Sequence, residues 1–226
     1  MSHPPTLVLD LDGTLVDTAH DLIGTLNAIL HSERMAPVSF DASIAMVGHG
    51  ARAMLESAFA AHGRRITPAR LDQLIQAFLV HYGQHMAEHS KPFPGAEAML
   101  DRFAAAGWRL AICTNKHEAP ARRLLQLLGI AERFASITGQ DTFVFRKPDP
   151  RHLTETIRLA GGNGTSAVMV GDSRIDIETA KAANVPVVAV EFGYSPLPVA
   201  ELGADRVIAH FDQLWDAVAT LEIGSP

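Results

Sequence analysis

Two carboxylates stand close together in Asp10-Leu11-Asp12-Gly13-Thr14, directly after the run Thr6-Leu7-Val8-Leu9, so two acids and a glycine fall where a buried strand would leave the core. Ionised carboxylates this close repel one another, and a divalent cation such as Mg2+ is the natural counter-charge. One of the pair is then available for chemistry. An EF-hand loop also begins Asp-x-Asp, but it needs Gly at its sixth position and Glu at its twelfth, where this chain has Leu15 and Asp21. That reading is excluded. A strand followed by a solvated acidic turn fits the segment taken alone, and residues farther along the chain decide between the two.

Polar groups recur at corresponding places downstream. Leu110-Ala111-Ile112-Cys113 ends in Thr114-Asn115-Lys116, where small polar groups at a strand tip can hydrogen-bond a phosphate. Arg146-Lys147-Pro148-Asp149-Pro150 holds a lysine on a short stiff segment, because its prolines stop regular structure before the next helix. Ala167-Val168-Met169-Val170 ends in Gly171-Asp172-Ser173-Arg174-Ile175-Asp176, again with acids just past a strand. Each segment is weak evidence alone; the order of all of them is not.

With these residues in this order the chain resembles the haloacid dehalogenase-like superfamily, most of whose members are magnesium-dependent phosphatases. The superfamily's first motif looks like Asp10-Leu11-Asp12-Gly13-Thr14, its second falls on Thr114, its third on Lys147, and its fourth on Gly171-Asp172-Ser173 with Asp176. Within it, Leu15-Val16-Asp17-Thr18, Val47-Gly48-His49-Gly50-Ala51, Pro92-Phe93-Pro94-Gly95 and Cys113-Thr114-Asn115-Lys116 look most like phosphoglycolate phosphatases. The resemblance implies that Asp10 is a nucleophile forming an aspartyl-phosphate, that Asp12 serves as acid and then base, and that Lys147 offsets anionic charge. It further implies that Thr114 and the N–H groups of Leu11 and Asn115 hold the transferring oxygens. Mg2+ would be held by the carboxylates of Asp10 and Asp172 and the main-chain carbonyl of Asp12. Asp176 would be a further ligand or a partner of the ligands, with a helix N-terminal charge interaction as the alternative.

Composition agrees with a soluble intracellular enzyme and says little more; the resemblance implies a small phosphorylated metabolite as its partner. At 226 residues and 47% hydrophobic content the chain can bury a full core. Its single cysteine, Cys113, permits no internal disulfide and lies in an apolar run, where it reads as core filler. A formal charge of −6 offers no basic footprint for nucleic acid, and no stretch is apolar for the length that a membrane helix needs. The first strand starts by residue 6, leaving no room for a signal peptide, so the cytoplasm is expected. Oligomeric state is not legible.

The elements that must position these residues follow from hydrophobic period. Between Asp17 and Lys91 the apolar residues keep helical spacing, as in Leu22, Leu26, Ile29 and Leu30, or Leu71, Leu74, Ile75, Phe78 and Tyr82, with no convincing strand. From Pro92 onward short strand-like runs (109–113, 134–138, 167–170, 186–190, 206–208) alternate with amphipathic stretches near 95–106, 118–128, 150–160, 174–183 and 211–221. This alternation implies an α/β fold, a Rossmann-like parallel sheet with helices on both faces. An inserted α-helical cap of the C1 type would occupy residues 17–92, and the core 1–16 and 93–226. Ligands in such sheets bind beyond the carboxyl ends of the strands, which is where Asp10, Thr114 and Asp172 fall. The resemblance places the first strand mid-sheet and favours hinges over ordinary loops for the linkers Leu15-Val16-Asp17-Thr18 and Pro92-Phe93-Pro94-Gly95.

Specificity is expected from the cap, because the core site sees only the phosphate. Gly48-His49-Gly50-Ala51-Arg52 is the candidate, with His49, Gly50 and Arg52 as substrate contacts and an arginine able to fork onto a carboxylate. Its partial match to a dinucleotide fingerprint is rejected, since no second strand follows. His81, His85 and His89 repeat along one helical face but lack an acidic or cysteine partner at ligand spacing, so they read as a solvated face. Gly161-Gly162-Asn163-Gly164 lacks the Lys-Ser/Thr of a P-loop and reads as a turn, and Asn184 reads as a left-handed helix cap. A β-phosphoglucomutase-like mutase or a sugar-phosphate or nucleotide phosphatase of the same superfamily remains as an alternative. A phospho-receiver would not need Asp12, and family dehalogenases use no metal.

Overall fold

The computed structural model describes residues 3–48 and 50–223. The chain divides into two compact units, one formed by residues 1–16 and 92–226 and the other by 17–91.

In the first unit six strands form one parallel sheet: β1 (Thr6–Leu9), β4 (Arg109–Cys113), β5 (Ser136–Thr138), β6 (Ala167–Gly171), β7 (Val187–Val190) and β8 (Arg206–Ile208), in the order β5-β4-β1-β6-β7-β8. The first strand is thus central, flanked by β4 and β6. Strand side chains alternate between faces. Val8, Ala111, Met169 and Val187 pack with Leu153 and Ile157 of α7 (Pro150–Leu159) and Ile177 and Ala180 of α8 (Arg174–Ala182). The intervening Leu7, Leu9, Leu110 and Ile112 are equally buried, and α5 (Ala96–Ala105) packs on β4 and on α9 (Leu214–Ala219). With α6 (Glu118–Leu127) beside β5, the helices cover both faces of the sheet, and its strands are apolar throughout, as parallel sheets require.

Pairing register matters more to the site than packing does. Leu9 is level with Ile112 on one side and with Val170 on the other, so the residues that follow emerge from three adjacent strands at one height. A slip of one residue would turn every side chain to the other face.

Three sequence expectations are corrected. The strand over 134–138 begins only at Ser136, because Ala131–Arg133 winds into a 3-10 turn that Phe134 closes by donating to the Ala131 carbonyl at 3.2 Å. The stretch 211–221 opens as a 3-10 turn, Phe211–Gln213, held by a His210–Gln213 capping box, and is α-helical only over Leu214–Ala219. Two short strands, β2 (Val16–Asp17) and β3 (Lys91–Pro92), pair where the chain passes out of and back into the first unit, although no strand was expected there. Asn184 does adopt the left-handed conformation, with φ 54°.

The second unit is helical: α1 (Ala19–Ser32), α2 (Phe40–Val47), α3 (Gly50–Ala61) and α4 (Pro68–His85). Thr67 caps α4 by accepting from the Arg70 N–H at 3.3 Å, and Pro68 fills the first turn. The buried stripe Leu71, Leu74, Phe78 and Tyr82 faces inward. Asp21 of α1 is buried, and its carboxylate accepts from the N–H of His89 (3.0 Å), the N–H of Ser90 (2.8 Å) and the Ser90 hydroxyl (2.6 Å), fixing the end of the unit to its start. His81 and His85 are half-buried rather than fully solvated: their rings stack 4.4 Å apart, with Nδ1 of His81 3.2 Å from Thr25 Oγ1 and Nδ1 of His85 2.7 Å from Glu88. Among the described residues no helix is long and apolar enough to cross a membrane.

Gly161-Gly162-Asn163-Gly164 is a turn with a packing requirement. A Cβ on Gly162 would overlap Thr6 Oγ1 at the base of β1. Gly162→Ala should therefore destabilise the protein by about 1–3 kcal/mol, as overpacked sites do; an unchanged urea midpoint would show that the turn relaxes freely.

Candidate active site

The site lies at the carboxyl end of β1 and its two neighbours. Gly13 turns the chain at φ 82°, and its N–H donates to the Val16 carbonyl at 3.0 Å. A Cβ there would lie 2.7 Å from Asp172 Oδ2 and 2.7 Å from the Tyr194 ring. Glycine is needed both for the dihedral and for the approach.

Asp10, Asp172 and Asp176 converge, with one oxygen from each within 4.8 Å of the others. Their partners fix them. Asp10 Oδ1 accepts from the Leu11 N–H at 2.7 Å and meets Lys147 Nζ at 3.0 Å. Asp172 accepts from the Thr14 hydroxyl at 3.2 Å and from the Tyr194 N–H at 2.7 Å. Asp176 accepts from Lys147 Nζ at 2.6 Å through Oδ1, while Oδ2 accepts from the Ser173 hydroxyl at 2.6 Å and from the Ser173 N–H at 3.1 Å, the latter completing the capping box of α8. Both Asp176 oxygens are thereby engaged.

Lys147 is 3% exposed and its ammonium lies between two carboxylates. Its burial opposes the charged form, yet Asp10 and Asp176 beside it hold the ammonium well above the usual lysine range. Burial of Asp10 pushes its acid up to about 6 against the pull of Lys147. Asp172 rises to about 8 through burial, then the charges of Asp176 and Asp10. One ammonium does not balance the cluster. Its donors are all hard oxygens, which suit Mg2+ rather than a soft metal, so the residues present fit the cation that the sequence implied.

Asp12 meets a second cation. Lys116 Nζ donates to both of its carboxylate oxygens at 3.1 Å, with the lysine side chain 8% and the acid 16% exposed. Thr114 Oγ1 accepts from the Lys116 N–H at 3.1 Å, and Asn115 Nδ2 donates to the Lys147 carbonyl at 3.0 Å. Asn115 Oδ1 is buried with no hydrogen-bond partner among the described residues, leaving an acceptor for a donor brought by solvent or ligand. Cys113 beneath is buried, its thiol pushed up to about 12 by burial, and is inert filler.

Two residues escaped the sequence reading. Lys116 closes the Cys113-Thr114-Asn115-Lys116 motif; its signal is a cation placed two positions past the strand-end Thr114. His152 is fully buried in α7, and its Nδ1 accepts from the Lys147 N–H at 3.2 Å. Burial, then the nearby Lys147 charge, lowers it to about 4, so the imidazole stays neutral and presents a lone pair to that N–H. No periodicity marks it.

Of the residues expected to read substrate from the helical unit, His49 lies outside the described residues. Gly50 opens α3 at φ 83°, and Arg52 in its first turn pairs with Asp72 of α4 at 2.6 Å, both side chains more than half exposed.

The raised carboxylates set a pH dependence for the metal-free protein. Their folded values exceed the carboxylate reference of 3.8, so the stability they confer is full below about pH 4 and is lost as pH rises through about 6 and 8. Mg2+ takes the ionised forms, so the rise in Tm on adding Mg2+ should be larger at pH 8.5 than at pH 5.5. Thermal melts with Mg2+ or with chelator at the two values check this; equal shifts would remove the acidic cluster as the metal site. Lys147→Met should lower stability by about 3–5 kcal/mol in urea melts near pH 8, the cost of leaving buried partners without their counter-charge.

Comparison with known proteins adds to this geometry. The sequence pattern of the family described as haloacid dehalogenase-like hydrolase matches residues 7–190. A phosphoglycolate phosphatase of Mesorhizobium japonicum is 52% identical over 93% of this chain and 92% of its own length. One from Agrobacterium fabrum is 46% identical over 95% of this chain and 92% of its own. The crystal structure of a predicted phosphoglycolate phosphatase from Haemophilus somnus superposes with a TM-score of 0.88 at 25% identity, covering 96% of this chain and 99% of that one.

Proposed function

The chain belongs to the haloacid dehalogenase-like hydrolases, and from that premise we propose that it is a Mg2+-dependent phosphatase that hydrolyses 2-phosphoglycolate through an aspartyl-phosphate on Asp10. The observation that carries the reading is the buried Lys147 ammonium 3.0 Å from Asp10, in a cluster whose remaining negative charge calls for a divalent cation.

Asp10 attacks phosphorus in line; its Oδ1 accepts from the Leu11 N–H before substrate binds, and that N–H passes to the phosphate oxygens when the ester is seated. Lys147 offsets the repulsion between an anionic nucleophile and an anionic ester. Mg2+, held by the carboxylates of Asp10 and Asp172 and the main-chain carbonyl of Asp12, would neutralise phosphate oxygens and make phosphorus more open to attack. Asp12 protonates the leaving oxygen and then takes a proton from the water that hydrolyses the acyl phosphate, help that typically contributes roughly 10²–10⁴-fold. Thr114 and the N–H groups of Leu11 and Asn115 hold the transferring oxygens. The engagement of both Asp176 oxygens favours a role in seating Lys147 and α8 over direct ligation.

The helical unit, residues 17–91, is assigned as the cap, with Gly50 and Arg52 reading the substrate. Arg52 must exchange its bond to Asp72. That exchange is cheap, because exposed ion pairs contribute only about 0–1 kcal/mol. The composition supports action on a small metabolite in the cytoplasm, with no nucleic-acid or membrane partner.

Phosphate release from a panel of esters, with Mg2+ and with chelator, tests the reading: 2-phosphoglycolate should be turned over fastest, and chelation should stop release. A mutase would instead isomerise a sugar phosphate with little free phosphate. Asp10→Asn should abolish turnover while leaving the circular dichroism spectrum and chromatographic elution of the wild type, and retained activity would remove the nucleophile assignment. Arg52→Ala should raise KM for 2-phosphoglycolate; an unchanged KM sinks the role given to Arg52.

A further inference from the structure

Resting on the phosphoglycolate reading, we infer that the core itself carries a carboxylate subsite and that Lys116 is its cation. The ammonium of Lys116 stands beside Asp12, bonded to both of its oxygens at 3.1 Å. A lysine head ordinarily stays in water. Here the side chain is 8% exposed, drawn down to the mouth of the phosphate site rather than out to solvent.

The backbone that carries it is fixed on both sides. Its N–H donates to Thr114 Oγ1 at 3.1 Å, and its carbonyl accepts from the Gln140 N–H at 3.0 Å. The cation is therefore presented from a held position, which reduces the ordering cost of binding. Its place relative to the chemistry decides what it can read. Asp12 must lie within hydrogen-bond reach of the leaving oxygen, about 2.6–3.2 Å, which puts that oxygen at most about 6 Å from Nζ. In 2-phosphoglycolate a single methylene joins the leaving oxygen to the carboxylate. With the methylene turned toward the lysine, the substrate's second anion comes within reach of Lys116. The phosphate end is served by Lys147, which meets Asp10 at 3.0 Å, so the two lysines, each beside a different carboxylate, divide the two anionic ends between them. Specificity then begins in the core and is not left to the helical unit alone.

The test uses the full chain with saturating Mg2+ and two esters that differ only in the anion, 2-phosphoglycolate and ethyl phosphate. In Lys116→Met the ratio of kcat/KM for 2-phosphoglycolate to that for ethyl phosphate should fall roughly 10- to 100-fold, the range for a lost hydrogen bond to a charged group, chiefly through KM, and Lys116→Arg should restore part of it. Lys116→Gln, which keeps a donor toward Asp12, carries the same comparison should Lys116→Met not fold. Equal losses on both esters would overturn the inference while leaving the phosphatase reading intact, since Lys116 would then act only on Asp12. If the wild type itself shows no preference for 2-phosphoglycolate, the substrate reading fails and the subsite with it.

Discussion

A buried ammonium held between two carboxylates is the interaction on which the rest depends. Taking Lys147, Asp10 and Asp176 out of water is costly, and such groups persist only where geometry and further hydrogen bonds compensate. Every nearby feature serves that end. Asp176 is tied into the capping box of α8, which fixes where its free edge points toward Lys147. His152 holds the Lys147 backbone N–H, and Asn115 holds the Lys147 carbonyl. Gly171 lies so close to Asp176 that a side chain there would overlap it. These bonds keep Asp10 and Asp176, which share one ammonium, from moving apart.

The imbalance left over is what makes the site useful. Burial, then the neighbouring Asp176 charge, holds Asp172 and Asp10 above the carboxylate range, and for Asp10 the pull of Lys147 does not fully offset it. A cluster in that condition is a receptor for positive charge, and the same unanswered charge would otherwise turn an anionic ester away. Room for a cation and repulsion of an unaccompanied anion are therefore two readings of one electrostatic deficit.

Much of this was legible in the residue order. Strand ends announce themselves when an apolar run stops at a polar group, so Asp10, Thr114 and Asp172 could be placed at one edge before any fold was known. The central position of β1 followed from the resemblance, and the alternation of runs and amphipathic stretches yielded the parallel sheet. Contacts between residues far apart in sequence were not legible. The pairs Lys116–Asp12 and Arg52–Asp72, and the bond from Lys147 to His152, depend on which side chains topology brings together, and no local period encodes that. Boundaries at the far edge of the sheet were misjudged for a related reason: Phe134 and Phe211 are apolar, but turn geometry and a polar cap, which hydropathy does not register, decide where strand and helix begin.

The excursion from Asp17 to Lys91 begins and ends at neighbouring points, since β2 and β3 are paired. A closed excursion of this kind has a cost that grows only with the logarithm of its length. Whatever is threaded between those ends leaves the spacing of β1, β4 and β6 as it was. The intervening helices can thus be lengthened or shortened without disturbing the strand ends from which the acidic cluster emerges.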